Sequence, residues 1–152
     1  MCGISGILSF NGKYNREDIH KMNEILSHRG PDDEGTYFDD YIGLGHRRLS
    51  IIDLSKAGHQ PMSDESKRYW IVFNGEVYNY LEIRDELIEK GHDFNSNTDA
   101  EVILKSYIEW GAHCLKKFNG MWAFAIWDKE KKELFCARDR FGIKPFYYYN
   151  KE

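Results

Sequence analysis

Apolar positions along this chain fall into short runs and helical stripes that predict several strands with helices set between them. Cys2-Gly3-Ile4-Ser5-Gly6-Ile7-Leu8-Ser9-Phe10 is short, apolar and punctuated by glycine, which suits a buried strand starting at the terminus itself. Over 16–28, Ile19, Met22, Ile25 and Leu26 share one helical face, and Gly30-Pro31 supplies the stop. Residues 35–53 and 69–78, rich in Ile, Val, Tyr and Phe, predict successive strands on either side of a turn-rich loop at 55–66. A helix carrying Leu81, Leu87 and Ile88 is expected over 80–90, closed by Gly91. Thr98-Asp99-Ala100-Glu101 is a capping-box pattern ahead of Val102, Ile103, Tyr107 and Ile108, so another helix starts there. Two strands follow at 121–127 and 133–137, joined by a charged turn, and the aromatic run 146–149 predicts a last strand. Antiparallel strands with helices grouped between them make an α+β domain. No linker, repeat or low-complexity tract interrupts the pattern, so residues 1–152 read as one domain.

Composition narrows the classes of function. The 152 residues are 41% hydrophobic and 30% charged, enough to bury a core without disulfide or metal staples. With 21 Lys+Arg against 25 Asp+Glu, the net charge of −4 argues against a nucleic-acid partner. No apolar run approaches the roughly 20 residues of a membrane span, and no basic-then-apolar leader opens the chain. Three cysteines, Cys2, Cys114 and Cys136, suggest reduced thiols and a cytoplasmic setting.

Common chemical motifs are absent. There is no Gly-x-x-x-x-Gly-Lys, and Gly43-Leu44-Gly45 lacks the third glycine of a dinucleotide fingerprint. His20, His28, His46, His59, His92 and His113 show no metal-ligand spacing; each reads as a surface or capping residue, and no metal site is expected. Cys114 and Cys136 sit among apolar residues and read as inert core thiols. Cys2 differs because of its place. Its small side chain predicts removal of Met1, which would put a thiol and a free α-amine, a nucleophile and a general base, on one residue. The plain alternative is a chance Met-Cys start in a buried strand.

Six segments occur in order: Met1-Cys2-Gly3-Ile4-x-Gly6, His28-Arg29-Gly30-Pro31-Asp32, Gly45-His46-Arg47-Arg48-Leu49-Ser50-Ile51-Ile52-Asp53, Phe73-Asn74-Gly75-Glu76-Val77-Tyr78-Asn79, Thr98-Asp99-x-Glu101-Val102-Ile103 and Ala137-Arg138-Asp139-Arg140-Phe141-Gly142-x-Lys144-Pro145. Together they resemble the glutaminase domain of the glutamine-hydrolysing asparagine synthetases, a branch of the class II glutamine amidotransferases, from Cys2 to Tyr149. The resemblance implies an N-terminal-nucleophile hydrolase fold, a four-layer αββα sandwich of two antiparallel sheets between helices. It implies that Cys2 attacks the side-chain amide of L-glutamine and that Asn74 and the Gly75 N–H form the oxyanion hole. The plain alternative for Asn74-Gly75 is a turn between two strands. Arg48 matches the residue that holds the substrate α-carboxylate, a task suited to a guanidinium fork, whereas Arg47 reads as a solvated strand residue. Asp99 matches the receptor of the α-ammonium group; the plain alternative is a carboxylate at a helix N-terminus. Glu76 and the segment Leu49, Ser50, Ile51 and Ile52 are implied to line the same pocket.

The resemblance also marks what is missing. The family continues its glutaminase domain past this point and then into a synthetase domain with a Ser-Gly-Gly-x-Asp-Ser loop that this sequence lacks. The chain is therefore expected to be C-terminally truncated, with its sheet edge open to pairing in a homodimer. No cofactor is expected in this domain; ATP and magnesium are implied for the synthetase domain. Two alternatives stay open: the same glutaminase chemistry feeding another acceptor, such as an amino-sugar or tailoring substrate, and a non-catalytic glutamine-binding or assembly module.

Overall fold

Three strands from the first third of the chain form one antiparallel sheet in a computed structural model that describes residues 1–11 and 13–150. β1 (Gly3–Leu8) and β2 (Asp33–Phe38) flank β3 (Ile42–Arg48). The stretch 35–53 is thus broken, because the Asp39 carboxylate accepts the N–H groups of Tyr41 (2.7 Å) and Ile42 (2.9 Å) and turns the chain. Residues 49–53 leave the sheet as irregular loop.

Helix α1 (Arg16–Ile25) is capped by Asn15, whose side chain accepts the Glu17 N–H, and it covers the outer face of this sheet. Its buried residues are Ile19 and Asn23, while Ile25 is exposed. The buried face is rotated from the one the apolar residues predict because Asn23 has partners inside: it donates to Gly35 O (3.1 Å) and accepts from Ser5 Oγ (3.1 Å).

The second sheet runs β4 (Met62–Ser63), β5 (Tyr69–Val77), β6 (Gly120–Asp128), β7 (Glu133–Arg138), all antiparallel neighbours. Side chains alternate along β5: Ile71, Phe73 and Val77 join a core with Ile83, Leu87 and Ile103 from α2 (Tyr80–Glu89) and α3 (Asp99–Trp110). Val72 on the opposite face packs with Ala125 and Trp127 against Ile42 and Leu44 of the first sheet. The layers are therefore helix, sheet, sheet, helices, and each fully buried Leu, Ile or Phe contributes about 1.5–3 kcal/mol. On α2 the buried positions are Ile83 and Leu87; Leu81 and Ile88 face outward, off the expected stripe.

Residues 146–149 form no strand. Phe146 packs against the inter-sheet core, but Tyr147, Tyr148 and Tyr149 are exposed. The chain turns away from β7 at Asp139, whose carboxylate accepts the N–H groups of Trp122 (3.2 Å), Phe141 (3.2 Å), Ile143 (2.9 Å) and Lys144 (2.9 Å). Burial opposes ionisation of this group, and those four donors still hold its carboxyl below the usual range. Asp139→Ala should cost about 2–4 kcal/mol, since it strands several buried donors at once. Urea unfolding at neutral pH checks this, with Asp139→Asn expected to fall between the two; an Ala variant as stable as the parent would contradict it.

Candidate active site

Strand β5 sets the geometry of the site through its unpaired edge. In an antiparallel strand, alternate residues present both backbone groups to the same side. On β5 the odd residues face away from β6: Tyr69 N–H meets Asp64 Oδ1 (2.8 Å), Phe73 N–H meets Gln60 Oε1 (2.7 Å) and Val77 N–H meets Asp99 Oδ2 (3.0 Å). Gly75 has the same parity, and its opposite number on β6, Trp122, spends both backbone groups on Asp139. The Gly75 N–H therefore points out of the sheet edge, and among the described residues nothing accepts it. Only glycine fits here, because a Cβ would sit 2.3 Å from Met121 O and 2.6 Å from Trp122 Cα. Asn74 and Gly75 lie inside β5, so they are not a hairpin turn. The Asn74 side chain shares the parity of Val72 and is buried on the inter-sheet side.

Cys2 stands just before β1, beside the loop that follows β3. Its Sγ lies 3.4 Å from the Leu49 N and 3.7 Å from the Leu49 O. Arg29 donates from Nε to Cys2 O (3.0 Å) and leaves Nη2 buried without a partner among the described residues. Cys2, Asn74 and Gly75 line one small cleft, about 70 Å³, together with Arg48, Leu49, Ile51, Ile52, Glu76 and Asp99. Met1 also lines it and is 55% exposed. A larger cavity of about 430 Å³ between the sheets shares Cys2 and Asn74 with the cleft.

The buried Arg48 guanidinium is aimed by backbone carbonyls. Nη1 donates to Ser55 O (2.9 Å) and Nη2 to Asp53 O, while a Cβ on Gly58 would fall 2.1 Å from Nη2. Asp53 is itself tied down, accepting from Ser55 N–H (2.9 Å) and Asn97 N–H (3.0 Å), which binds the loop to the start of α3. Arg47 is not the solvated residue expected from its place in the strand: its side chain is largely covered, paired to Glu34 (2.6 Å) and donating to Gly30 O (3.1 Å). Within 49–52 the exception is Ser50, whose N–H is taken by Asp32 (2.7 Å) and which does not line the cleft.

Three further placements were not legible from residue type. His46 is buried and contacts Phe73 O through Nε2 (3.0 Å), so it is neither a surface nor a capping residue. Cys136 is exposed, whereas Cys114 is buried and its thiol is pushed up to about 12 by burial. Lys144 is 5% exposed, lines the cleft and brings Nζ to Met1 Sδ (3.3 Å), with no ion pair among the described residues. The sequence signals for Arg29 and Lys144 were their places in two of the six ordered segments, with no chemistry attached to either.

Asp99 opens α3 at the cleft wall. Thr98 caps the helix, accepting from Glu101 N–H (3.3 Å), and Glu101 reaches back past Thr98 to the N–H groups of Asn95 (2.9 Å) and Ser96 (2.7 Å). Thr98 and Glu101 serve the helix start, and the Asp99 carboxylate also takes backbone donors there, from its own N–H and that of Ala100, so the helix-terminus reading holds beside its place in the cleft wall. Burial raises the Asp99 carboxyl to about 6, against the hydrogen bond from Val77 and with help from the negative charge of Glu76. A carboxyl raised on folding gives most stability below its unfolded value, near 3.8, and loses it as pH rises through about 6. Asp99→Asn should therefore be more stable than the parent at pH 7.5, by about 1–3 kcal/mol, with the gap closing toward pH 4. Chemical denaturation at the two pH values checks the sign; a variant less stable at pH 7.5 would refute it.

The family model of the glutamine amidotransferase domain matches residues 1–152. Glutamine-hydrolysing asparagine synthetases 1 and 3 of Bacillus subtilis are 47% and 43% identical over 152 residues; each alignment covers 97% of this chain, and 24% and 25% of theirs. The chain spans about a quarter to a third of the length of the curated relatives it matches. Among solved structures, the glutamine phosphoribosylpyrophosphate amidotransferase of Bacillus subtilis superposes with a TM-score of 0.57 at 20% identity, over 68% of this chain and 24% of that one. That likeness identifies the two-sheet sandwich as the fold of N-terminal-nucleophile hydrolases. A family-model match over its whole length makes this chain a member of the glutamine amidotransferase domain family.

Proposed function

We propose that this chain hydrolyses L-glutamine to L-glutamate and ammonia through a thioester on Cys2, and that the ammonia serves an ATP-dependent asparagine synthetase region of a longer protein. The observation that carries the reading is the unclaimed Gly75 N–H on the edge of β5, in one cleft with Cys2 and the Asn74 side chain. Removal of Met1 frees the Cys2 α-amine, which takes the thiol proton. The thiolate then bonds to the amide carbon, and the carbonyl oxygen, now negative, receives hydrogen bonds from Asn74 and Gly75 N–H. Collapse breaks the C–N bond as the amine hands its proton to the departing ammonia, leaving a thioester. Water, deprotonated by the same amine, attacks the thioester and releases glutamate.

Arg48 and Asp99 read the other end of the substrate, the α-carboxylate and α-ammonium groups. An ammonium against Asp99 favours its ionised form, offsetting the burial that raises its carboxyl. Leu49, Ile51 and Ile52 wall the cleft, with Glu76 beside Asp99. This half-reaction uses no cofactor; ATP and magnesium act in the synthetase region, where aspartate would receive the ammonia. The reading is cytoplasmic and involves neither nucleic acid nor membrane, and among the described residues no helix is long and apolar enough to cross one. A free β7 edge is compatible with a homodimer.

Protein shown by intact mass to begin at Cys2 should release ammonia and glutamate in equal amounts from glutamine, and protein retaining Met1 should release none. Cys2→Ala should abolish turnover and Cys2→Ser should keep a small fraction, a hydroxyl being the weaker nucleophile. Asn74→Ala should lower kcat by about 10²–10³ with KM little changed. Undiminished ammonia release by Cys2→Ala would overturn the mechanism.

Recognition of the zwitterion is tested with glutaramic acid, which keeps a carboxylate and lacks the α-amine. Each charge-assisted contact contributes about 1.5–3 kcal/mol, so kcat/KM should fall about 10- to 150-fold relative to glutamine. Arg48→Lys should lose part of the same recognition, keeping the charge without the fork. Equal kcat/KM for the two amides would remove Asp99 from the ammonium site.

A further inference from the structure

One peptide before the proposed oxyanion hole, the edge of β5 is gripped from two directions by side chains. His46 Nε2 lies 3.0 Å from Phe73 O, and Gln60 Oε1 accepts the Phe73 N–H at 2.7 Å. Both side chains are buried, with residue exposures of 1% and 6%. His46 belongs to β3, the central strand of the opposite sheet, and Gln60 precedes the short β4. In a continuous sheet a neighbouring strand would bond both groups of Phe73, but β4 pairs only with Ile71 and Trp70. The two side chains replace that strand at the residue next to Asn74.

We infer that His46, as the neutral tautomer protonated at Nε2, is a positioning residue for the glutamine hydrolysis proposed above: together with Gln60 it fixes the two peptide units flanking Phe73 and so aims the Asn74 side chain and the Gly75 N–H. The inference rests on that proposed reaction. A carbonyl can only accept, so a hydrogen bond at Phe73 O requires the proton on Nε2. Burial lowers the His46 imidazole to about 4 and so keeps it neutral at physiological pH. The charged and titratable groups that act on it are Asp33, which works to raise it, and Arg48 and His59, which work to lower it. A neighbouring strand would be a bulkier way to pin the peptide, because it would cover the Gly75 N–H as well. An imidazole reaching across from the other sheet holds one peptide and leaves the next open. Among the described residues the hydrogen bonds of both side chains go to Phe73 and not to Arg48 or Asp99, and His46 does not line the cleft, so its loss is expected to act on the transition state more than on substrate affinity.

The test uses Met1-processed protein and steady-state glutamine hydrolysis. His46→Leu, similar in bulk without a donor, should lower kcat about 10- to 100-fold with KM within about twofold, the scale of an ångström-sized misplacement. His46→Gln, which offers an amide N–H at comparable reach, should restore most of kcat. Gln60→Met should act in the same direction, and the double variant should lose less than the product of the two single losses, because both hold the backbone of one residue, Phe73. An unchanged kcat in His46→Leu, a loss confined to KM, or a Gln variant no better than Leu overturns the assignment. If His46→Leu does not fold, the imidazole nitrogen resonances of the parent protein decide: Nε2 should carry the proton at pH 7 with no titration down to about pH 5. Protonation at Nδ1, or titration near 6.5, overturns it. Parent protein with no glutaminase activity removes the proposed reaction and this inference together, whereas an active parent with an indifferent His46→Leu removes the inference alone.

Discussion

A β-strand must find partners for its edge groups, and β5 finds them without a strand. From Phe73 onward its exposed edge is satisfied piecemeal by Gln60, His46 and Asp99, each from a different element. A regular neighbour would have bonded residues 73, 75 and 77 alike. Piecemeal satisfaction permits an omission, and the omission falls at Gly75. The other elements can be understood as arrangements that keep this edge open: the loop after β3 brings Cys2 and Arg48 to it, and the start of α3 supplies Asp99. The site is thus less a set of residues placed in a pocket than a strand edge left incomplete at one position.

Electrostatic cost is distributed unevenly across the cleft. Arg48 is buried with its charge largely answered by carbonyl dipoles, which orient the fork without neutralising it. Asp99 is buried with backbone donors only, near the like charge of Glu76, and its raised carboxyl measures the resulting strain on the ionised form. Under the proposed reading an ammonium ligand offsets that cost, so the carboxylate trades stability for recognition.

The fold was legible where periodicity and burial coincide. Strands β5 and β6 of the second sheet and helix α3 follow their apolar patterns, because the residues that look apolar are the ones that pack, whereas the two-residue β4 lies inside the stretch 55–66 read as loop. The pattern misled where a polar residue is the buried one. Asn23 turns α1 because it is hydrogen-bonded inside, leaving Ile25 in solvent, and the aromatic run 147–149 pairs with nothing because Asp139 redirects the chain before it. For the site, Cys2, Arg48, Asn74 and Asp99 were found through ordered segments, and their convergence on one cleft follows from that order. Arg29, Gln60 and His46 were not singled out, since a buried hydrogen bond to a backbone carbonyl or amide leaves no mark in residue type, and neither does the contact of Lys144 with the Met1 sulfur.

The contact between Lys144 and Met1 joins positions 143 residues apart. A cleft whose walls come from opposite ends of the chain has a high loop-closure cost and is completed late, after local hairpins and helices have formed. During synthesis from the N-terminus, the far wall does not exist until residue 144 has been made.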